Sequence, residues 1–144
     1  MSLATIITNL ATTGGNVTGI ASSFDIDELP GPLNDAALPA LLHLPAGGEN
    51  VRATMGSDGD YDMTHRITVL LLYKAVGQGT AKVNYAAIVA LIDSYIQAIR
   101  DDDTLSSACI DARVTPYSEP GVIMWADVAY HGVQFTVEAL EYIE

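Results

Sequence analysis

Carboxylates at alternate positions in Asp58-Gly59-Asp60-Tyr61-Asp62 are spaced like the opening ligands of a calcium loop, where side-chain oxygens converge on one hard cation. The rest of such a loop is missing. Its sixth position holds Met63 where a glycine must turn the chain, and its twelfth holds Val69 where a bidentate glutamate closes the coordination sphere. The reading is a solvated acidic loop. His43, His65 and His131 stand far apart, each beside an apolar segment, so a three-histidine metal centre needs the fold to bring them together. Cys109 has no neighbouring base and heads a strand-like run, which suits a small buried hydrophobe better than a nucleophile. Ser57, in Gly56-Ser57-Asp58-Gly59, lacks the spacing and the following helix of a nucleophile elbow. Gly77-Gln78-Gly79 ahead of Thr80-Ala81-Lys82 reads as a strand-to-helix turn, and no glycine pattern that cradles phosphate is present. These residues nominate no catalytic group, no metal ligand and no cofactor, and the expectation is a protein that is not an enzyme.

The elements around them are clearer. Leu3, Ile6, Ile7 and Leu10 repeat at helical spacing, with Ser2 to cap the start and Gly14-Gly15 to stop it. Residues 17 to 45 are rich in Pro, Gly and Asp, and their one apolar run, 37 to 44, is bounded by Pro39 and Pro45, so at most one short strand fits. Residues 46 to 64 hold four glycines and almost no apolar periodicity, which predicts a long loop. The clearest strand spans 66 to 76; its centre is apolar on both faces, which places it in the middle of a sheet covered on both sides.

A helix over 81 to 100 follows from Ile88, Leu91, Ile92, Tyr95, Ile96 and Ile99, a spacing that only a helix gathers on one face. Asp101-Asp102-Asp103 come where the helix dipole disfavours negative charge, so the helix stops near Arg100 and the acids are hydrated or face a partner. Strands are expected at 110 to 115, 122 to 130 and 133 to 143, with a turn at His131-Gly132 unless Gly132 marks a bulge in one long strand. Trp125 and Tyr130 read as core or interface aromatics. The order predicts an α+β fold: a mainly antiparallel sheet packed against one long helix and a short amino-terminal helix, in two layers. One domain over residues 1 to 144 accounts for it.

At 144 residues and 49% hydrophobic, the chain has material for one core, while 18 acids against six bases give a net charge of −12. Such an excess of carboxylates opposes nucleic-acid binding, which is driven chiefly by Lys and Arg neutralising phosphates. No run approaches the roughly 18 to 20 apolar residues of a membrane span, and neither a basic amino-terminal region nor a cleavage site is visible, so a soluble, unexported chain is expected. One cysteine excludes an internal disulfide and a multi-thiolate zinc site. Charge is also uneven: residues 25 to 62 carry eight acids against Arg52, residues 63 to 100 carry Asp93 against four bases, and residues 101 to 144 carry nine acids against Arg113. The segregation either maintains solubility or makes copies of the chain complementary in a head-to-tail contact.

The run Leu38-Pro39-Ala40-Leu41-Leu42-His43 before a long loop, the strand from Ile67 to Tyr73, the long helix entering Asp102-Asp103-Thr104-Leu105, and the closing Tyr130-His131-Gly132-Val133-Gln134-Phe135-Thr136-Val137 together resemble the tail-terminator proteins of long-tailed bacteriophages. The likeness covers roughly residues 35 to 144 and lies in order and spacing. It implies a structural virion protein: a homo-hexameric ring at the head-proximal end of the tail tube, which ends tube polymerisation and joins the tail to the head connector. The partners so implied are further copies of the chain, the tail tube protein and the head-tail connector protein. Genomic DNA passes through the bore without sequence-specific binding, and no membrane is involved. The setting is the virion neck, and the host cytoplasm during assembly. On this reading Arg52, Met55, Asp58, Asp60, Asp62 and Trp125 are candidates for the ring or partner interface, and Asp101, Asp102 and Asp103 for acids facing the lumen or a partner. Head-completion and neck adaptor proteins share the size and the ring habit, and a small acidic protein-binding module is the reading from another class.

Overall fold

The computed structural model describes residues 2–52, 61–77 and 80–143, with backbone alone at positions 35, 51, 52, 61, 62, 142 and 143. Helix α1 (Leu3–Gly15) begins where the Ser2 hydroxyl accepts the Thr5 N–H, and it buries Ile6, Ile7, Leu10, Ala11 and Gly14 on one face. Gly14 does more than end the helix. A Cβ there would meet Leu41 Cδ1 at 2.6 Å and the Tyr95 ring at 3.3 Å, so the glycine lets α1 lie directly on the sheet and against the second helix.

Strand β1 (Ser22–Phe24) runs parallel to β2 (Ala40–Arg52), pairing Ser22 with Ala40 and Phe24 with Leu42. β2 then pairs antiparallel with β3 (Tyr61–Ala75), from Ala40 opposite Leu72 to Arg52 opposite Tyr61. Residues 46 to 52 and 61 to 64 are thus strand, where the sequence predicts loop; the register shifts between Pro45 and Gly48, and Gly47 takes φ 91°. Proline and glycine, which argue against a strand in isolation, here form a bulge on a strand with one open edge. At Gly48 a Cβ would collide with the Thr64 carbonyl oxygen, so the close pairing requires glycine.

Helix α2 (Ala81–Asp101) starts with the Thr80 hydroxyl accepting the Val83 N–H and ends one residue beyond the expected Arg100. It buries Ile88, Leu91, Ile92, Tyr95 and Ile99 as its spacing predicts, with Ile96 half-buried. After it come β4 (Asp111–Tyr117), β5 (Gly121–Trp125) and β6 (Val128–Ile143). The sheet order is β1-β2-β3-β6-β4, with β5 also on β6. β3 takes one edge of β6 along most of its length, while β4 and β5 pair with residues 135 to 140 and 128 to 132.

Of the two readings of His131-Gly132, the long strand holds: β6 continues through Gly132, and the turn lies at Ala126-Asp127, both at positive φ, inside the strand expected over 122 to 130. A side chain at Gly132 would strike the Leu71 carbonyl oxygen, and the unmatched residue sits opposite, on β3 between Leu72 and Lys74.

The α+β expectation holds, with β1 adding one parallel pair. β3 lies inside the sheet with both faces covered. Ile67, Val69 and Leu71 pack with Leu41, Val133, Phe135 and Val137 under the two helices, where Tyr95 meets Phe135 at 4.7 Å between ring centroids. On the other face Leu70 and Leu72 join Ala40, Leu42, Leu38 and Tyr130 in a smaller core, capped by Leu29, Leu33 and Trp125. Each fully buried side chain of this kind contributes about 1.5–3 kcal/mol.

Candidate functional site

Along β3 and β6 the apolar core stops at Ile67 and Ala139, yet the strands do not. β3 extends back to Tyr61 and β6 onward to Ile143, paired to their ends, and β2 accompanies them to Arg52. β4 accompanies β6 as far as Leu140, and beyond it residues 61 to 63, 141 to 143 and 50 to 52, three residues at about 3.4 Å each, make a three-stranded blade roughly 10 Å long. Residues 53 to 60 lie between β2 and β3 in the sequence. Met55, Asp58 and Asp60 fall there, outside the described residues, while Arg52 and Asp62 end the paired strands on either side.

Two rows of polar side chains mark the root of this blade. On the helix side, where the alternation of β3 and β6 continues past Ile67 and Ala139, His65 Nε2 lies 2.9 Å from Glu141 Oε2 and both side chains are buried. On the opposite face the charges alternate across four strands. Glu49 of β2 meets Arg66 of β3 at 3.3 Å, Arg66 meets Glu138 of β6 at 3.3 Å, and Glu138 meets Arg113 of β4 at 3.5 Å. The hydrogen bonds that the Arg66 guanidinium donates, to Glu49 first and then to Glu138, raise its pKa above the ordinary value. Neither row was identified from the sequence, because each exists only once strand register is fixed.

The three acids after α2 separate into different roles. Asp101 is exposed and accepts from the Gln97 amide at 2.8 Å. Asp102 is the C-cap of α2, and its carboxylate accepts the Ser106 N–H at 3.0 Å and the Thr13 hydroxyl at 3.3 Å. It thereby anchors Leu105, Ser106 and Ser107, all at positive φ, a conformation costing about 1–2 kcal/mol per residue that carries a Cβ. This corrects the expectation of three equivalent outward charges: Asp102 is committed to the turn. Asp103 is exposed, and its main-chain carbonyl accepts the Ala112 N–H at 2.6 Å.

Trp125 also turns inward. Its indole N–H donates to the Pro30 carbonyl at 3.1 Å and its ring packs on the smaller core, pinning the segment before β2; Tyr130 Oη likewise accepts the Leu33 N–H at 2.9 Å. The aromatic offered to a partner is therefore a half-buried clamp. Exposed instead on the same strand are Val122 and Met124.

The histidines remain apart. His43 donates from Nδ1 to the Phe24 carbonyl at 2.8 Å, His65 holds Glu141, and His131 Nδ1 meets Asn84 Nδ2 at 2.9 Å with its ring edge-on to Tyr85. Burial pushes the Cys109 thiol up to about 11, with Asp111, Asp102 and Asp103 adding to the shift, so it stays protonated at neutral pH as a small buried hydrophobe does. Among the described residues, Asp25, Asp27 and Glu28 form the one group whose carboxylate oxygens approach within 4.8 Å of one another. Asp25 already accepts the Thr8 hydroxyl and the Ile26 N–H. No helix of the described residues is long and apolar enough to cross a membrane. Comparison with known protein families and with characterised proteins gives no match to this chain.

Proposed function

We propose that this chain is the structural subunit of a hexameric ring at the head-proximal end of a phage tail tube, where it ends tube polymerisation and receives the head connector. The blade is the observation that carries the reading. A compact α+β body supports a paired extension about 10 Å long, and the two of its strands that are consecutive in the sequence, β2 and β3, flank the acidic, glycine-rich residues that carry the interface candidates. A projecting set of paired strands suits contact with a tube rim, because the rim repeats one surface and six modest contacts then bind together with high avidity. The net charge of −12 fits a ring through which DNA passes, since an acidic wall repels phosphates.

Incubating the purified chain with isolated tail tubes and imaging the ends tests this directly. The expected result is a six-fold ring on one end of each tube and no further growth when tube protein is added. Bare ends that continue to elongate would overturn the proposal.

A further inference from the structure

On the helix side of the sheet, α2 has two unlike flanks. Along one runs a groove of about 370 Å³, walled by Pro39, Tyr73, Ala87, Ala90 and Leu91, with Lys74 at its rim. Small residues leave this space, and a bulge supplies the charge. Leu72 packs on the opposite face, where an unbroken strand would also point Lys74; the extra residue between them puts Lys74 opposite His131, whose ring lies against Tyr85 of α2. Past the other flank β5 continues the sheet. Val122 and Met124 pair with His131 and Ala129, so they stand on the helix side, 58% and 62% exposed. Val89, one turn beyond Tyr85 on α2, and Tyr117, opposite Phe135, are exposed on this flank too.

We infer that Val122 and Met124 of one copy seat in this groove of the next. The inference rests on the ring reading and names the contact by which such a ring would close. Level supports it. Lys74 faces His131 across the sheet and His131 faces Val122, so the groove and the apolar patch share one cross-strand row, on opposite flanks of α2. Copies joined through them need not climb along the strand direction. A contact between two different surfaces closes into a ring when the rotation between copies allows it, whereas one that climbs makes an open filament.

Charge supports it too. Asp127 is exposed in the turn just after β5, three residues beyond Met124, and Lys74 is exposed beside the groove. Among the described residues neither is in an ion pair. Seating Met124 therefore carries an unpaired acid of one copy towards an unpaired base of the next. Val89, Tyr117, Val122 and Met124 on one flank also amount to more than singly scattered surface hydrophobics, and such a grouping marks an interaction surface. The groove, walled mostly by apolar side chains, is the cover that a second copy of the chain supplies.

The test uses two full-length variants at exposed positions: Ala90→Trp, which fills the groove and leaves the patch, and Met124→Asp, which spoils the patch and leaves the groove. Circular dichroism and thermal melting establish that each is folded, with Ser94→Trp and Val122→Asp as the equivalent pair should either fail. Light scattering then reads the mass of each alone and of a 1:1 mixture. The wild type is expected to assemble, and each variant alone to fall to the mass of a single chain. The mixture should yield a complex of two chains and nothing larger, because the intact patch of one variant meets the intact groove of the other and both remaining surfaces are spoiled. Wild-type assembly that neither variant disturbs, or single-chain variants that stay single when mixed, would overturn this contact while the ring reading stands. A wild type that stays a single chain even with tube ends present would overturn both. Variants that self-associate as the wild type does but no longer cap tube ends would assign the groove and the patch to the tube protein, and so would overturn contact between copies.

Discussion

His65 and Glu141 share a hydrogen bond of 2.9 Å where the apolar core gives way to the blade, and both side chains are buried. Each stabilises the other's burial. A carboxylate without a partner in that position loses its hydration and gains nothing in return, so removing one member should cost more than removing both. His65→Ala is expected to lower stability by about 3 kcal/mol in urea unfolding, and the double replacement His65→Leu with Glu141→Leu by less than about 1 kcal/mol. Additive losses in the double variant would show that the two side chains act independently.

Tyr95 places its hydroxyl in the core between α2 and the sheet with no hydrogen-bond partner among the described residues, and burial pushes that hydroxyl well above the ordinary phenol value. The ring contributes through its packing on Phe135 and beside Gly14, which phenylalanine reproduces. Tyr95→Phe should therefore be neutral or stabilising by up to about 1 kcal/mol in thermal unfolding, because it removes a desolvated polar group and no contact. A loss of about 1 kcal/mol or more would mean that the hydroxyl is bonded in solution.

His43 sets a pH dependence. Burial lowers its pKa, outweighing the Phe24 carbonyl and the charge of Asp25, which act in the other direction. The unfolded chain then binds the proton more readily than the folded one. The His43 contribution is thus fully present above the ordinary imidazole value of about 6.5 and is lost as pH falls from there towards the folded pKa, with a slope of up to about 1.4 kcal/mol per pH unit. Replacing His43→Leu should remove this component, and its stability should fall less steeply between about pH 7 and 5 than that of the wild type. Equal slopes in chemical unfolding would refute the assignment.

What the sequence disclosed, and what it withheld, follows from the range of the forces involved. The stripe from Ile88 to Ile99 and the cap at Ser2 act within a few residues, so both helices were legible. The central position of β3 was legible because burial on both faces requires apolar residues on both faces. β1 was not, since Ser22 and Ser23 carry no alternation and pair only because β2 offers an edge. The strand content of 46 to 52 was hidden by Pro45, Gly47 and Gly48, whose bulge makes sense only against Thr64. The inward turn of Trp125 depends on Pro30, 95 residues earlier, and the row from Glu49 to Arg113 draws on four separate strands. Residue types were visible throughout; the register that joins them was not.

Asp102 gives the sharpest separation between folding and assembly at the end of α2. Its carboxylate holds the Ser106 N–H and the Thr13 hydroxyl, so it joins the left-handed turn to α1, and Asn9 adds a bond to the Leu105 carbonyl at 2.8 Å from the same helix. Asp102→Ala should cost about 1–2 kcal/mol, the scale of a lost capping side chain combined with a turn that each residue with a Cβ adopts reluctantly. Asp101 and Asp103 are exposed and make no comparable side-chain anchor to α1, so Asp101→Lys with Asp103→Lys should leave the melting temperature within about 2 °C, the shift expected for surface changes below about 0.5 kcal/mol. If these two acids face the bore or a partner, the reversal should reduce completed particles while purified protein stays folded. A reversal that melts the protein, or an Asp102→Ala chain as stable as the wild type, would mean that the roles of the three acids are exchanged.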